Sequence, residues 1–201
     1  MTGANKFWIA GAHSEGLPAS VFHPAVTRDR ELFAAGRVLK SDSMLRRVID
    51  LPFELDCFNP KERRAVERFL DKGRKVGIPA SYIASNRRAW WSVGLREPAP
   101  ILATYMARRP PAFVLNSVFA RNLNIAHGLY PREPLSRRIL KRLAEFLAEH
   151  TRLIDGRTYA GGLTKFEPRE MERILVPRPE ILLPRCDSAK RVFEATRPEN
   201  C

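Results

Sequence analysis

Glycine and proline interrupt the apolar residues of this chain at short intervals, and this pattern limits the fold most. The 201 residues include 16 prolines and 11 glycines. Between residues 5 and 50 every apolar run is short, which favours short strands and loops over long helices. From residue 82 to residue 130 the runs are partly aromatic or β-branched and are bounded by Pro, Gly or Asn. Strands are predicted there at Trp90–Val93, Ile101–Met106 and Phe113–Leu115.

Two longer segments depart from this pattern and are predicted to be amphipathic helices. Asn59 is a favoured N-cap and Pro60 a favoured first helical residue, and Val66, Phe69 and Leu70 follow at helical spacing. The second helix is predicted to begin at Pro134, with an apolar face made of Leu135, Ile139, Leu143, Phe146 and Leu147. Its solvated face is predicted to carry Arg137, Arg138, Lys141 and Arg142. The predicted fold class is α+β, with short, mostly antiparallel strands and two principal helices.

The charge of the chain favours a polyanionic partner. Its 35 Lys and Arg residues against 22 Asp and Glu residues give a formal charge of +13, with a pI near 10.4. Between residues 72 and 132 the only carboxylate side chain is Glu97, whereas that span holds ten cationic residues. A surface that meets polyphosphate explains this depletion, because carboxylates would repel the ligand. Buried strands without room for carboxylates, with arginines only at their rims, are the alternative explanation.

An arginine pair and a tryptophan pair stand together at the centre of this acid-poor span. Arg87 and Arg88 precede Trp90 and Trp91. Arginine binds phosphate or guanine bidentately. Alternation along a strand would direct one indole ring into the core and the other outward. The alternative is that both rings simply pack in the core.

Residues that would form a reaction centre do not stand together in the sequence. The four histidines lack metal-ligand spacing, and the three cysteines are far apart, which favours free thiols in a reducing cytoplasm. No apolar run reaches the roughly 18 to 20 residues of a membrane span. Gly161 and Gly162 form either a turn that needs positive φ or a loop whose amides approach a phosphate, with Lys165 nearby. Lys165 could equally pair with Glu167.

Several phrases of the sequence nevertheless occur together in one known family. They are the opening Thr2–Trp8 (TGANKFW), Tyr82-Ile83 with the arginine and tryptophan pairs, Pro100–Arg109, Phe113–Asn116, Asn122–Asn124 and the closing Tyr159–Pro168 (YAGGLTKFEP). The chain resembles the C-terminal target-recognition domain of adenine-specific DNA methyltransferases of restriction–modification systems, the Taq and Eco57-like group. The closing phrase is the most specific match, although Ala160 stands where many members have glycine.

The resemblance implies a domain organisation and a partner. Residues 1–184 would form a module that binds double-stranded DNA and selects the methylated sequence, followed by a loosely held tail at residues 185–201. The catalytic domain and its S-adenosylmethionine site would lie upstream, so no cofactor and no catalytic residue is expected in this chain. A methyltransferase domain or subunit is then a second partner, and the location expected is cytoplasmic and nucleoid-associated. The alternative function is that of a basic RNA-binding or ribosome-associated protein.

Carrying the resemblance onto matching positions gives a set of DNA-contacting candidates. Asparagine can form two hydrogen bonds with the edge of adenine, and arginine with that of guanine. Asparagines are also common turn residues. The candidates are Arg87, Arg88, Trp90, Trp91, Arg108, Arg109, Asn116, Asn122, Asn124, Tyr159, Gly161, Gly162 and Lys165.

Overall fold

The computed structural model describes residues 6–182, which form six α-helices, ten strands and several single 3₁₀ turns. The helices are α1 (Asp29–Ala35), α2 (Pro60–Lys75), α3 (Tyr82–Ser85), α4 (Arg137–His150), α5 (Pro168–Glu172) and α6 (Pro179–Leu182). The strands are β1 (Phe22–Val26), β2 (Val38–Leu39), β3 (Arg46–Ile49), β4 (Ile101–Thr104), β5 (Met106–Ala107), β6 (Phe113–Asn116), β7 (Arg121–Asn122), β8 (Ala126–Leu129), β9 (Arg157–Tyr159) and β10 (Leu163–Lys165).

The strands form three small sheets. A four-stranded sheet has the order β2-β6-β4-β8, and two three-stranded sheets have the orders β3-β1-β7 and β5-β10-β9. The β1–β7 and β2–β6 pairs are parallel, and the other five pairs are antiparallel. The predicted α+β class with short, mostly antiparallel strands is therefore confirmed.

Helix α2 begins and packs as its sequence predicts. The Asn59 side chain accepts hydrogen bonds from the Lys61 and Glu62 amides, and the Glu62 carboxylate accepts one from the Asn59 amide. This reciprocal cap satisfies amides that the first turn leaves without helical partners. Phe69 and its neighbours on the apolar face are buried in a core that also contains Trp8.

Helix α4 begins three residues later than predicted. Ser136 caps the helix, with its hydroxyl accepting from the Ile139 amide, so Pro134 and Leu135 belong to the preceding loop. Ala144 and Leu147 pack against β4 and β6. The helix face predicted to be solvated is exposed, as the sequence indicated, and it carries Arg137, Arg138, Lys141 and Arg142.

The strand predicted at Trp90–Val93 is wrong. Tyr82–Ser85 is a single helical turn, and no strand forms between it and Ile101. The Asp50 carboxylate accepts hydrogen bonds from the amides of Gly94 and Leu95, so these amides bond a side chain rather than a neighbouring strand. Just before them the Ser92 amide donates to the Ala89 carbonyl, so the predicted strand segment forms a turn despite its β propensity.

The predicted end of the module at residue 184 and the proposed tail at residues 185–201 lie outside the described residues. Within residues 6–182, no helix has the length and hydropathy required to cross a bilayer.

Candidate nucleic-acid interface

The sheet β5-β10-β9 gathers candidates that are far apart in the sequence. Lys165 pairs with Met106 of β5 and with Arg157 of β9, and Leu163 pairs with Tyr159. Arg108 directly follows β5, and the turn Ala160–Gly162 joins β9 to β10. We call the surface formed by Arg108, Tyr159, Gly161, Gly162 and Lys165 the β9–β10 surface.

The glycine turn of the β9–β10 surface has the conformation expected from its sequence. Gly161 and Gly162 both have positive φ, 76° and 73°, a region that residues with a Cβ rarely adopt. Both glycines are exposed. The turn leads into β10 rather than into a helix, so it lacks the helix N-terminus on which glycine-rich loops bind nucleotide phosphates. It is an open turn whose backbone a phosphate group can approach.

Two cations flank this turn. The Arg108 Nε donates a hydrogen bond to the Gly161 carbonyl at 3.2 Å, and the Arg108 side chain is otherwise exposed. The Lys165 ammonium lies 4.5 Å from the centroid of the Tyr159 ring. The Glu167 carboxylate instead accepts a hydrogen bond from the Tyr105 hydroxyl, at 2.7 Å. The structure thus shows a cation–π contact at Lys165 in place of the suggested Lys165–Glu167 pair.

A groove of about 670 Å³ adjoins this sheet at the end of β5 and β10 that lies away from the glycine turn. Asn122, Asn124 and Arg96 line it, together with Tyr105 and Glu167. The Asn122 side chain donates to the Ala126 carbonyl, whereas Asn124 is exposed. Amide, guanidinium and carboxylate groups are the ones that read adenine, guanine and cytosine edges. The groove therefore has the polar groups needed for base recognition.

Several groove residues are not among the sequence-based candidates. In the sequence Arg96 stands out only as a cation of the acid-poor span, and nothing local marks His127. Tyr105 and Glu167 lie within phrases of the family resemblance, but neither was a DNA-contacting candidate. The His127 Nε2 donates to the Phe166 carbonyl at 2.6 Å. The hydrogen bond to Glu167, aided by burial, raises the pKa of Tyr105 to about 12, so its hydroxyl stays a donor. Tertiary pairing brings these residues together, and no local pattern signals it.

Two other candidate arginines lie over aromatic rings. The Arg88 guanidinium is 4.0 Å from the centroid of Phe53, and the Arg109 guanidinium is 3.4 Å from that of Phe33. Both arginines are exposed. Stacking orients a guanidinium without neutralising it, so both contribute positive charge to the surface.

The remaining members of the central stretch pack inward. We call Arg87, Arg88, Trp90 and Trp91 the tryptophan cluster. Trp90 lies 6.2 Å from Trp8 and 6.0 Å from Trp91, measured between ring centroids. Trp91 also donates its indole N–H to the Pro52 carbonyl. Both rings pack against the core of α2, and neither has the outward direction that a strand would have given it.

Arg87 is half-buried, unlike the exposed Arg88. Desolvation lowers its pKa, and the charge of Asp50 partly opposes that shift. Both tryptophans are half-buried as well, so the cluster presents Arg88 to solvent more fully than its other members.

Asn116 cannot read a base in this conformation. It is only 8% exposed, and both of its amide hydrogens are donated, to the carbonyls of Ala99 and Ala120. Its side-chain oxygen accepts from the Ala120 amide. The turn-forming role that the sequence left open therefore uses all of these groups.

The acid-poor span combines buried strands with exposed cations. Strands β4 and β6 are buried at every position and leave no room for carboxylates. Eight of the ten cations nevertheless have exposed side chains, which rim arginines alone do not explain. They are Lys72, Arg74, Lys75, Arg88, Arg96, Arg108, Arg109 and Arg132.

The relationship of this chain to known proteins agrees with the sequence resemblance. Residues 1–200 match the family described as type II methyltransferase M.Eco57I, C-terminal domain. The chain belongs to this family. It is 57% identical over 182 residues to the type II methyltransferase M.XamI of Xanthomonas campestris pv. amaranthicola, a match that covers 90% of the chain. It is also 26% identical over 113 residues, 54% of the chain, to the type II methyltransferase M.AccI of Acinetobacter calcoaceticus.

The matched region is a minor part of both relatives. The match covers 34% of the length of M.XamI and 21% of the length of M.AccI. Among residues 6–182 there is no group of three or more His, Cys, Asp or Glu side chains placed to hold a metal ion.

Proposed function

We propose that this chain binds double-stranded DNA and selects the target sequence for an adenine-N6 methyltransferase of a restriction–modification system. The observation that carries the proposal is the assembly of the β9–β10 surface next to a groove lined by Arg96, Asn122 and Asn124. Cations and an open glycine turn suit the phosphate backbone, whereas amide and guanidinium groups suit base edges. Membership of a methyltransferase C-terminal family supports this division of labour.

Phosphate binding is assigned to the β9–β10 surface. Arg108 keeps its terminal guanidinium nitrogens for a ligand while its Nε donates to the Gly161 carbonyl. That bond fixes the guanidinium beside Gly161 and Gly162, which have no Cβ atoms to block a phosphate. Lys165 adds a second charge on the adjoining strand. A preorganised cation beside accessible backbone is the usual means of positioning a protein on a duplex.

Methyl transfer is assigned to another part of the methyltransferase, which binds S-adenosylmethionine. The glycine turn of this chain does not fit that cofactor, because it leads into β10 instead of opening a helix. The chain's own contribution is to position DNA, and its second partner is the catalytic domain or subunit. Calorimetry of the isolated chain with S-adenosylmethionine is expected to show no stoichiometric binding.

The proposal is tested by the salt dependence of binding to mixed-sequence duplex DNA. A module that neutralises several phosphates loses affinity by orders of magnitude between roughly 50 and 200 mM salt. The expected result is a steep linear fall of the logarithm of affinity with the logarithm of salt concentration. An affinity that is flat across this range, or no binding at low salt, contradicts the proposal.

A parallel titration with double-stranded RNA of the same sequence separates the proposal from its rival. A-form RNA has a deep, narrow major groove that side chains cannot read. We therefore expect tighter binding to DNA than to RNA at matched salt. Equal or tighter binding to RNA would favour the RNA-binding alternative.

A further inference from the structure

Phe119 has an unusual backbone conformation. Among residues 6–182 it is the one residue other than glycine with positive φ, 54°. The left-handed region brings Cβ close to the following carbonyl oxygen, and a bulky aromatic residue is rarely found there. Asparagine or glycine would adopt this conformation at lower cost. A phenylalanine at this position therefore needs a compensating role.

Packing of the ring does not provide that role. The Phe119 side chain is 73% exposed. A single exposed apolar residue is ordinary on a protein surface. Here, however, an exposed ring is combined with an unfavourable backbone. Strained residues of this kind concentrate at functional sites, where the surrounding structure maintains them.

Hydrogen bonds to three separate parts of the chain hold the Phe119 loop in place. Asn116 bonds to both the amide and the carbonyl of Ala120 and to the carbonyl of Ala99. The Ser117 amide donates to the Leu39 carbonyl, and the Arg137 guanidinium donates to the Ser117 hydroxyl at 2.9 Å. The buried Asn116 thus fixes the two ends of a tight loop that presents Phe119 to solvent.

The Phe119 loop is connected to the groove through β7. It leads directly into β7, and Asn122 of β7 and the following Asn124 line the groove beside the β9–β10 surface. Arg137 is exposed and bonds to Ser117, so it supplies a positive charge to the loop two residues before Phe119. An aromatic tip beside a cation suits a ligand that combines phosphates with stacked bases.

We propose that Phe119 is a wedge that stacks on a base of duplex DNA and partly opens one base step. The inference rests on the proposed DNA-binding function and adds a contact to it. Apolar side chains inserted between base pairs unstack a step, and pyrimidine–purine steps yield most readily. A rigid loop suits this role, because the ring is held in place before the DNA arrives.

The test uses the full chain and a pool of duplexes rich in TA and CA steps, with 2-aminopurine at those steps. The wild-type chain is expected to raise 2-aminopurine fluorescence on binding, since unstacking relieves quenching. Phe119→Ala is expected to abolish most of that rise and to weaken binding about tenfold. Phe119→Trp keeps an aromatic wedge and is expected to retain both signals. Leu175→Ala, at a site with 89% exposure, is the matched control for loss of an exposed apolar side chain.

The slope of affinity against salt separates this contact from phosphate binding. Phe119→Ala removes no phosphate contact, so the slope is expected to match that of the wild type. If the wild type binds the duplexes and Phe119→Ala matches it in affinity and fluorescence, the wedge is wrong while the proposed function stands. If the wild type itself fails to bind, the proposed function fails and the wedge with it.

Thermal melting provides a second test, which distinguishes a ring that stabilises the fold from a ring that contacts DNA. Phe119→Asn places a residue that tolerates positive φ in the same exposed loop. We expect its Tm to rise by about 2–4 °C, while its DNA-dependent fluorescence falls to the level of Phe119→Ala. A lower Tm for Phe119→Asn would show that the ring stabilises the fold, and would overturn the wedge.

Discussion

The tryptophan cluster and the β9–β10 surface contain the same kinds of side chain, cations beside aromatic rings, but differ in what surrounds them. In the tryptophan cluster the two indoles pack against the core of α2, and Arg87 is partly desolvated. In the β9–β10 surface Arg108, Tyr159 and both glycines are exposed. The first arrangement favours stability, and the second leaves its cations available to a ligand.

The difference arises from tertiary neighbours and not from the motifs themselves. Trp90 packs closely on α2, where Gly73 leaves room for its ring: a Cβ added at Gly73 would lie 2.9 Å from the Trp90 Cη2. No comparable element covers Gly162, where an added Cβ would meet nothing within 4 Å. An arginine–aromatic motif is thus a weak indicator of binding until its solvent exposure is known.

The largest expected effect is the loss of stability in Trp90→Ala. Removing this ring leaves a cavity between α2 and Trp8, and we expect the free energy of unfolding to fall by about 3 kcal/mol. Tyr159→Ala, on the β9–β10 surface, is expected to change it by less than about 1 kcal/mol. Urea denaturation of both variants gives the comparison. Equal losses would remove the distinction between the two regions.

Asn116→Ala is expected to behave like a core variant although its residue type suggested base reading. It leaves the carbonyls of Ala99 and Ala120 and the amide of Ala120 without their side-chain partner. We expect a loss of about 2–3 kcal/mol in unfolding free energy. Asn124→Ala, at an exposed position, should be nearly neutral for stability. Calorimetric melting of the two variants distinguishes them, and a neutral Asn116→Ala would contradict the assignment.

Gly162→Val tests the open turn of the β9–β10 surface. An added side chain meets no neighbour, so the destabilisation comes from the backbone conformation alone. We expect the free energy of unfolding to fall by about 1–2 kcal/mol. Gly162→Asn tolerates positive φ and should cost less. If the turn binds phosphate, both variants also weaken DNA binding in proportion to side-chain bulk. Binding titrations of folded protein provide this measurement, and unchanged affinity for Gly162→Val would exclude close backbone approach.

A smaller effect is expected from the pH dependence of His23, which faces Arg121, Asp50 and Glu97. Burial and the nearby Arg121 lower its pKa below 6.5, whereas the two carboxylates partly oppose that shift. The unfolded chain therefore takes up a proton first as the pH falls. The stability from neutral His23 is present above the unfolded pKa and is lost as the pH falls through the folded pKa.

Melting at about pH 7.5 and about pH 5 tests this expectation. His23→Gln should reduce the loss of Tm on acidification, because it removes the titrating group. His23 belongs to β1, which is in a different sheet from β9 and β10, so DNA binding at a given salt concentration serves as the control. A wild type whose Tm falls on acidification no more than that of His23→Gln would contradict this expectation.

Local signals explain how much of the fold could be predicted. Helix α2 was predicted with its N-cap because Asn59, Pro60 and the apolar stripe act within one element. Strands β4 and β6 were predicted because their apolar runs are bounded by prolines and asparagine. The strand at Trp90–Val93 failed because the Ser92 amide bonds to the Ala89 carbonyl in a turn. The next amides, those of Gly94 and Leu95, bind Asp50, which is more than 40 residues away.

The candidate site was predictable only in part for the same reason. The closing phrase from Tyr159 to Pro168 identified the glycine turn, whose conformation follows from its residue types. The groove could not be predicted, since Arg96, Tyr105, Asn124 and Glu167 meet only through sheet pairing and loop packing. Phe119 carried no sequence signal, because its backbone conformation is imposed by Asn116 and by contacts distant in sequence.

The central claim is that the β9–β10 surface binds phosphate, and the salt dependence of one double variant tests it most directly. Replacing Arg108 and Lys165 by Ala should reduce the slope of log affinity against log salt by about two, one for each phosphate that is no longer neutralised. The matched control is Arg63→Ala on α2, which removes a cation already paired with Asp56 and Glu67. The slope of this control variant should equal that of the wild type. A double variant with the wild-type slope, in a protein that still melts cooperatively, would contradict the account.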